Sequence, residues 1–203
     1  MTLPSKILCV GRNYLAHARE LGNDVPDEPL LFLKPPSSVI RSGEAIVLPP
    51  ESSHVEYEGE IGVIVGTRLR HASEAEAERA VRAVVAVNDV TARDFQKSDS
   101  QWARAKGFDS FCPMGEPSSE VGALDELEVV TRVNGEERQR GRTSEMAFSI
   151  PFILSYASRI MTLEPGDLVI TGTPAGVAPL APGDVVEVEV VGRSRVQNPV
   201  VAG

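Results

Sequence analysis

Apolar and polar positions along this chain alternate with a period of two more often than with the 3.6-residue period of a helix. From 55 to 61, Val55, Tyr57, Gly59 and Ile61 take one face of a predicted strand, and Glu56, Glu58 and Glu60 take the other. Residues 61–66 are then apolar on both faces, so the strand is expected to run on into the core. The runs 84–87, 127–133, 168–170 and 185–190 also read as strands, the last with its acids facing outward. Asn134-Gly135 separates residues 127–133 from the polar 136–140 segment and predicts a tight hairpin. Pro-Gly-Asp turns at 165–167 and 182–184 each precede a strand.

Helical signals are fewer. Ser73 stands three residues before Glu76 and opens a capping box for a helix over 74–81. Ser149, followed by Pro151 in the first turn, starts a second helix that runs toward Met161. Strands and helices do not alternate regularly, which disfavours a doubly wound sheet. The expected class is α+β, mostly β, with a few short helices.

The 203 residues show no linker, repeat or low-complexity tract, so one domain over 1–203 is expected. Twenty Lys and Arg against twenty-nine Asp and Glu give a net charge of −9, which repels a nucleic-acid backbone. No apolar run approaches the length of a membrane span, and residues 1–10 do not read as a secretory signal. A cytoplasmic location follows as the expectation. Cys9 and Cys112 are too few and too far apart for a disulfide framework or a zinc site, and read as buried thiols.

Carboxylates side by side where a strand enters the core repel one another unless a proton or cation intervenes. Oxygen donors without nearby cysteine favour a hard divalent ion, Mg2+ or Mn2+. Asp89, after the predicted strand 84–87, is a candidate third donor, though taken alone it reads as an ordinary strand-end or turn aspartate. Of the three histidines, His71 precedes a helix cap and His54 fits the surface or a supporting place beside the acids. His17 has Glu20 at i+3, which in a helix pairs imidazole with carboxylate and makes a base; the alternative is a surface pair. Arg93 and Lys106 bound a polar segment whose cations suit an anionic substrate or merely neutralise Asp94, Asp99 and Asp109. Thr171-Gly172-Thr173-Pro174 follows a strand and either turns a hydroxyl and backbone N–H groups inward or simply ends it.

In order along the chain, Cys9-Val10-Gly11-Arg12-Asn13-Tyr14, Leu31-Phe32-Leu33-Lys34-Pro35, Glu58-Gly59-Glu60-Ile61-Gly62-Val63, Asn88-Asp89-Val90-Thr91-Ala92-Arg93-Asp94 and Thr171-Gly172-Thr173-Pro174-Ala175-Gly176-Val177 resemble motifs of the fumarylacetoacetate hydrolase family. The likeness is to its small acylpyruvase and oxaloacetate decarboxylase branch. It implies a mixed β-sandwich or roll, an N-terminal region over 1–50 with a lid segment, a metal-binding β core over 51–203, and a homodimer. By the same resemblance Glu58, Glu60 and Asp89 hold Mg2+ or Mn2+, and His17, Glu20 and Lys106 are catalytic. Arg93, Gln96 and Thr173 line the substrate pocket. Glu56 matches no ligand position, and the roles of Lys34 and Glu56 stay open.

The implied partner is a small anionic 2-oxo acid, with no nucleic acid and no membrane. The implied reaction is hydrolysis of a C–C bond in acylpyruvate-type substrates through a metal-bound pyruvate enolate. Oxaloacetate decarboxylation and keto–enol tautomerisation are alternatives that share the enolate. A non-catalytic, metal-stabilised module is a third reading, which has no use for His17, Glu20 and Lys106.

Overall fold

The computed structural model describes residues 3–15 and 26–203. In chain order the first strands are β1 (Ile7–Gly11), β2 (Leu30–Lys34), β3 (Val39–Ile40), β4 (Ile46–Leu48), β5 (Val55–Glu56), β6 (Gly59–Val65) and β7 (Val81–Asn88). There follow β8 (Thr91–Ala92), β9 (Cys112–Pro113), β10 (Glu128–Val133), β11 (Glu136–Arg142), β12 (Leu168–Ile170), β13 (Val185–Val190) and β14 (Ser194–Ala202). The helices described are α1 (Glu74–Arg79), α2 (Arg93–Ser98), α3 (Ala103–Lys106) and α4 (Ile150–Ile160).

Two five-stranded sheets dominate, in the orders β2-β1-β12-β6-β7 and β11-β10-β13-β14-β4. Each is mixed: β1 and β12 run parallel in the first, β14 and β4 in the second. The protein is thus mostly β with few helices, as the sequence pattern predicts. Strands from residues 1–50 enter both sheets. A core cluster joins Leu8 and Val63 of the first sheet, Val129 and Val188 of the second, and Ile153 of α4. The buried apolar faces of both sheets and one stripe of α4 are thereby removed from water together. Among the described residues no helix is long and apolar enough to cross a membrane.

Local signals act as their chemistry dictates. Ser73 and Glu76 make both bonds of the capping box on α1, and Ser149 caps α4 with Pro151 in its first turn. Asn134 and Gly135 both have positive φ, 54° and 82°, the signature of a type I′ hairpin turn between β10 and β11. In the two Pro-Gly-Asp turns the carboxylate accepts from the backbone N–H three residues back, Glu164 for Asp167 and Ala181 for Asp184. Two expectations change in detail. Helix α1 stops at Arg79, because Val81 is already paired to Val65. The predicted strand from 55 onward breaks at Tyr57 and Glu58, where Glu56 pairs with Thr91 of β8 while Gly59 pairs with Asn88 of β7.

Candidate active site

That break shapes the site. Glu58 N–H donates to Asn88 Oδ1 (2.9 Å) and Asp89 N–H donates to the Glu58 carbonyl (2.8 Å), tying the start of β6 to the end of β7. Gly59 admits no side chain, since a Cβ there would lie 1.8 Å from Thr131 Oγ1. Glu58, Glu60 and Asp89 converge, with one oxygen of each within 4.8 Å of the others, and all three residues are buried.

Cations surround two of the three. Lys106 Nζ lies 2.7 Å from Glu58 Oε2 and 2.6 Å from Asp89 Oδ2. Lys34 Nζ lies 2.7 Å from Asp89 Oδ1 and donates to the carbonyls of Lys106 (2.5 Å) and Val90 (3.2 Å). Arg93 bridges Glu58 Oε1 (2.6 Å) and Glu56 Oε2 (2.7 Å), and donates to Gln96 Oε1 (2.5 Å). His54 Nε2 sits 2.8 Å from Glu56 Oε1. Glu60 accepts from Gly172 N–H and has no ion pair among the described residues. Burial, aided by the charges of Asp89 and Glu58, pushes its carboxyl well above the usual range. Burial alone would lower the Lys106 ammonium, but Asp89 and Glu58 outweigh it and raise it. Arg93 follows the same pattern under Glu58 and Glu56.

The donor set fits a hard divalent ion: three buried carboxylates, no sulfur or nitrogen among them, one without a cation of its own. Glu56, Glu58, Glu60 and Asp89 against Lys34, Arg93 and Lys106 leave one negative charge when all are ionised. A divalent ion would reverse that sign and suit an anionic ligand.

The carboxylates open into a cavity of about 360 Å³ that is also lined by Lys106, Arg93, Gln96 and Thr173. The structure thus brings seven of the nine sequence-predicted site residues to one cavity. His17 and Glu20 lie outside the described residues. Phe32 and Trp102 form an apolar wall, their rings edge to face at 5.2 Å, with Lys106 Nζ 5.0 Å from the Phe32 ring centre. Sequence reasoning missed this wall, although Trp102 is the only tryptophan in the chain. Lys34, whose role the sequence leaves open, is a buried cation on Asp89, and Glu56 joins Arg93 and His54 rather than the triad. Both threonine hydroxyls of the 171–174 turn donate to carbonyls of β6, Thr171 to Ile61 and Thr173 to Gly59. Cys9 and Cys112 are buried; burial raises both thiols, Cys112 to about 12.

Residues 6–201 match the family model for the fumarylacetoacetate (FAA) hydrolase C-terminal domain. The chain belongs to the fumarylacetoacetate hydrolase family. Among curated members of this family, it is 43% identical to a mitochondrial oxaloacetate tautomerase of Caenorhabditis elegans, over 91% of this chain and 89% of that one. It is 42% identical to a mitochondrial oxaloacetate decarboxylase of Dictyostelium discoideum, over 92% of this chain and 89% of that one. Among solved structures, the fumarylpyruvate hydrolase of Pseudomonas aeruginosa in complex with Mn2+ and pyruvate superposes with a TM-score of 0.92 at 32% identity. That match covers 98% of this chain and 91% of the other. All three carry the names of enzymes, and the fumarylpyruvate hydrolase shares the fold of the two mixed sheets described above.

Proposed function

We propose that this protein is a divalent-metal-dependent enzyme acting on small 2-oxo acids, and that its common step is formation of an enolate at the carbon next to the 2-oxo group. The observation that carries this reading is the buried Glu58–Glu60–Asp89 triad opening, beside Lys106, into a cavity of small-molecule size. Glu58, Glu60 and Asp89 would hold Mg2+ or Mn2+, which would supply Lewis acidity toward negative charge on a 2-oxo oxygen. Arg93 and Gln96 hold the substrate carboxylate at the cavity wall. Lys106 Nζ stabilises the enolate oxygen and can return a proton to the carbon. Phe32 and Trp102 exclude water from one side and so strengthen these charge interactions.

Oxaloacetate tautomerisation or decarboxylation requires only this machinery, and the tautomerase and decarboxylase relatives support it. Hydrolysis of an acylpyruvate, the reaction the family resemblance implies, adds a water activated by the His17–Glu20 pair, and the fumarylpyruvate hydrolase likeness supports that second reading. Within this proposal the whole chain forms one catalytic domain, works as a cytoplasmic homodimer, and uses no nucleic acid.

The test is turnover of oxaloacetate, acetylpyruvate and fumarylpyruvate by protein loaded with Mg2+ or Mn2+, with and without chelator. Turnover of at least one that chelator abolishes is expected. A folded, metal-loaded protein inert toward all three overturns the enzyme reading and leaves the structural module. His17→Ala should reduce acylpyruvate cleavage far more than any oxaloacetate reaction; equal losses would remove the base from the hydrolytic step.

A further inference from the structure

Strand β11 is exposed and charged apart from Gln139 and Gly141. Gln139 owes its inward direction to a β-bulge: Thr131 pairs with Gln139 and Arg132 with Glu137, so Arg138 is the extra residue. The strand also approaches the site closely at three glycines. A Cβ at Gly141 would lie 2.6 Å from Pro174 Cβ, one at Gly176 would lie 2.1 Å from the Arg138 carbonyl oxygen, and one at Gly59 would lie 3.3 Å from Gln139 Oε1.

The Gln139 amide uses this closeness fully. Its Oε1 accepts from Gly59 N–H (3.0 Å), and its Nε2 donates to Thr173 Oγ1 and to the Pro174 carbonyl, each at 2.8 Å. These partners fix which end of the amide is which, since Gly59 N–H can only donate and the Pro174 carbonyl can only accept. They also fix Thr173. Its single hydroxyl proton goes to the Gly59 carbonyl at 2.9 Å, and one of its two lone pairs receives Gln139. One lone pair remains on an oxygen whose residue lines the cavity.

We propose that Gln139 is a positioning residue that locks the Thr173 hydroxyl as a hydrogen-bond acceptor toward the cavity, where it receives the O–H of an enol and offers nothing to a carboxylate or keto oxygen. This rests on the enolate reading above and extends it: Thr173 favours one protonation form of the substrate and does not merely line the pocket. With Gln139 removed, the Thr173 hydroxyl is free to rotate and donate, and the preference for the enol is lost.

A double-mutant cycle in steady-state kinetics tests it, using Gln139→Met, Thr173→Val and the double variant on oxaloacetate or whichever 2-oxo acid the wild type turns over. Gln139→Met removes the amide donor without putting in its place an acceptor that would take the Thr173 proton. Each single change is expected to lower kcat about tenfold, the scale of one buried hydrogen bond, with KM held within about twofold. The double variant should be no more than about twofold worse than Thr173→Val, because Gln139 acts through Thr173. Gln139→Leu takes the place of the Met variant if that one does not fold, and Glu137→Gln on the exposed face of the same strand should match wild type. Multiplicative losses of about a hundredfold in the double variant, or losses confined to KM, overturn the inference while leaving the enzyme reading intact. A wild type that turns over none of the 2-oxo acids overturns the enzyme reading, and this inference with it, before any variant is made.

Discussion

At the floor of the cavity, Glu58, Asp89, Lys34, Lys106 and Arg93 pair at 2.6 to 2.7 Å, and none of these side chains is more than 7% exposed. On the outer face of the second sheet, Arg132 reaches Glu187 and Glu189 at 2.9 Å while remaining 29% exposed. The contacts are chemically alike, and burial separates their consequences. Water screens the outer pairs, so each is worth little and each can be lost singly. The inner charges have left water, and removing one partner strands another in a poor solvent. That is a costly way to stabilise a fold and a suitable way to hold carboxylates ready for an ion and a substrate.

The largest effect is therefore expected from Lys106→Met, which removes the cation that Glu58 and Asp89 share. It leaves one cation to each, Arg93 to Glu58 and Lys34 to Asp89, against one more uncompensated buried charge. Denaturant unfolding of the metal-free variant should show a loss of about 3–5 kcal/mol. Turnover of the metal-loaded variant should fall about 10²–10³-fold. Wild-type stability together with wild-type turnover would place Lys106 outside the site's working charges and erase the contrast with the outer face.

Glu60→Gln should sharpen the comparison from the other side, because among the described residues Glu60 is the inner carboxylate without an ion pair. Its folded carboxyl titrates above the ordinary value of about 4.3, since burial and then Asp89 and Glu58 favour the protonated form. In the metal-free protein the folded state thus holds this proton more tightly than the unfolded chain does. The corresponding stability is complete below the ordinary value and is lost as pH rises through the raised one. Melting temperatures measured in chelator should fall across that window for the wild type and less steeply for Glu60→Gln. Mg2+ or Mn2+ at a hundred times its dissociation constant should stabilise the wild type by about 2.7 kcal/mol and the variant much less. Equal stabilisation of both would remove Glu60 from the ligand set.

The same contrast explains what could be read from the sequence. Glu58 and Glu60 announce themselves by alternating into an apolar strand, and Asp89 by following one, because strand geometry links spacing to direction over a few residues. The capping box at Ser73 and the Asn134-Gly135 turn are legible for the same reason. Lys34, Phe32, Trp102 and Gln139 are not, since what defines them is a partner far along the chain: Lys34 meets Asp89 across 55 positions of sequence numbering, and Gln139 meets Gly59 across 80. The break at Tyr57 was equally hidden, since it depends on β5 pairing with β8 while β6 pairs with β7. Alternation alone therefore placed Glu56 beside Glu58 and Glu60, whereas the pairing turns it to Arg93 and His54.

On the outer face the expected effects are smallest. Arg132→Ala removes two ion pairs at once, yet Glu187 keeps Arg195 nearby and Glu189 is open enough to water to stay solvated. Neighbouring carboxylates hold the Arg132 guanidinium above its ordinary value, first by accepting its hydrogen bonds at Glu189 and Glu187, so it stays charged through the pH range in which carboxylates titrate. The loss on unfolding should be about 0.5 kcal/mol at low salt and should vanish near 1 M salt, where the screening length is about 3 Å. Turnover should be unchanged, because the outer pairs lie on the far side of β10 and β13 from the core and touch nothing in the cavity. A loss several times larger that persists in high salt would mean that the outer network behaves like the inner one, and that burial is not what distinguishes them.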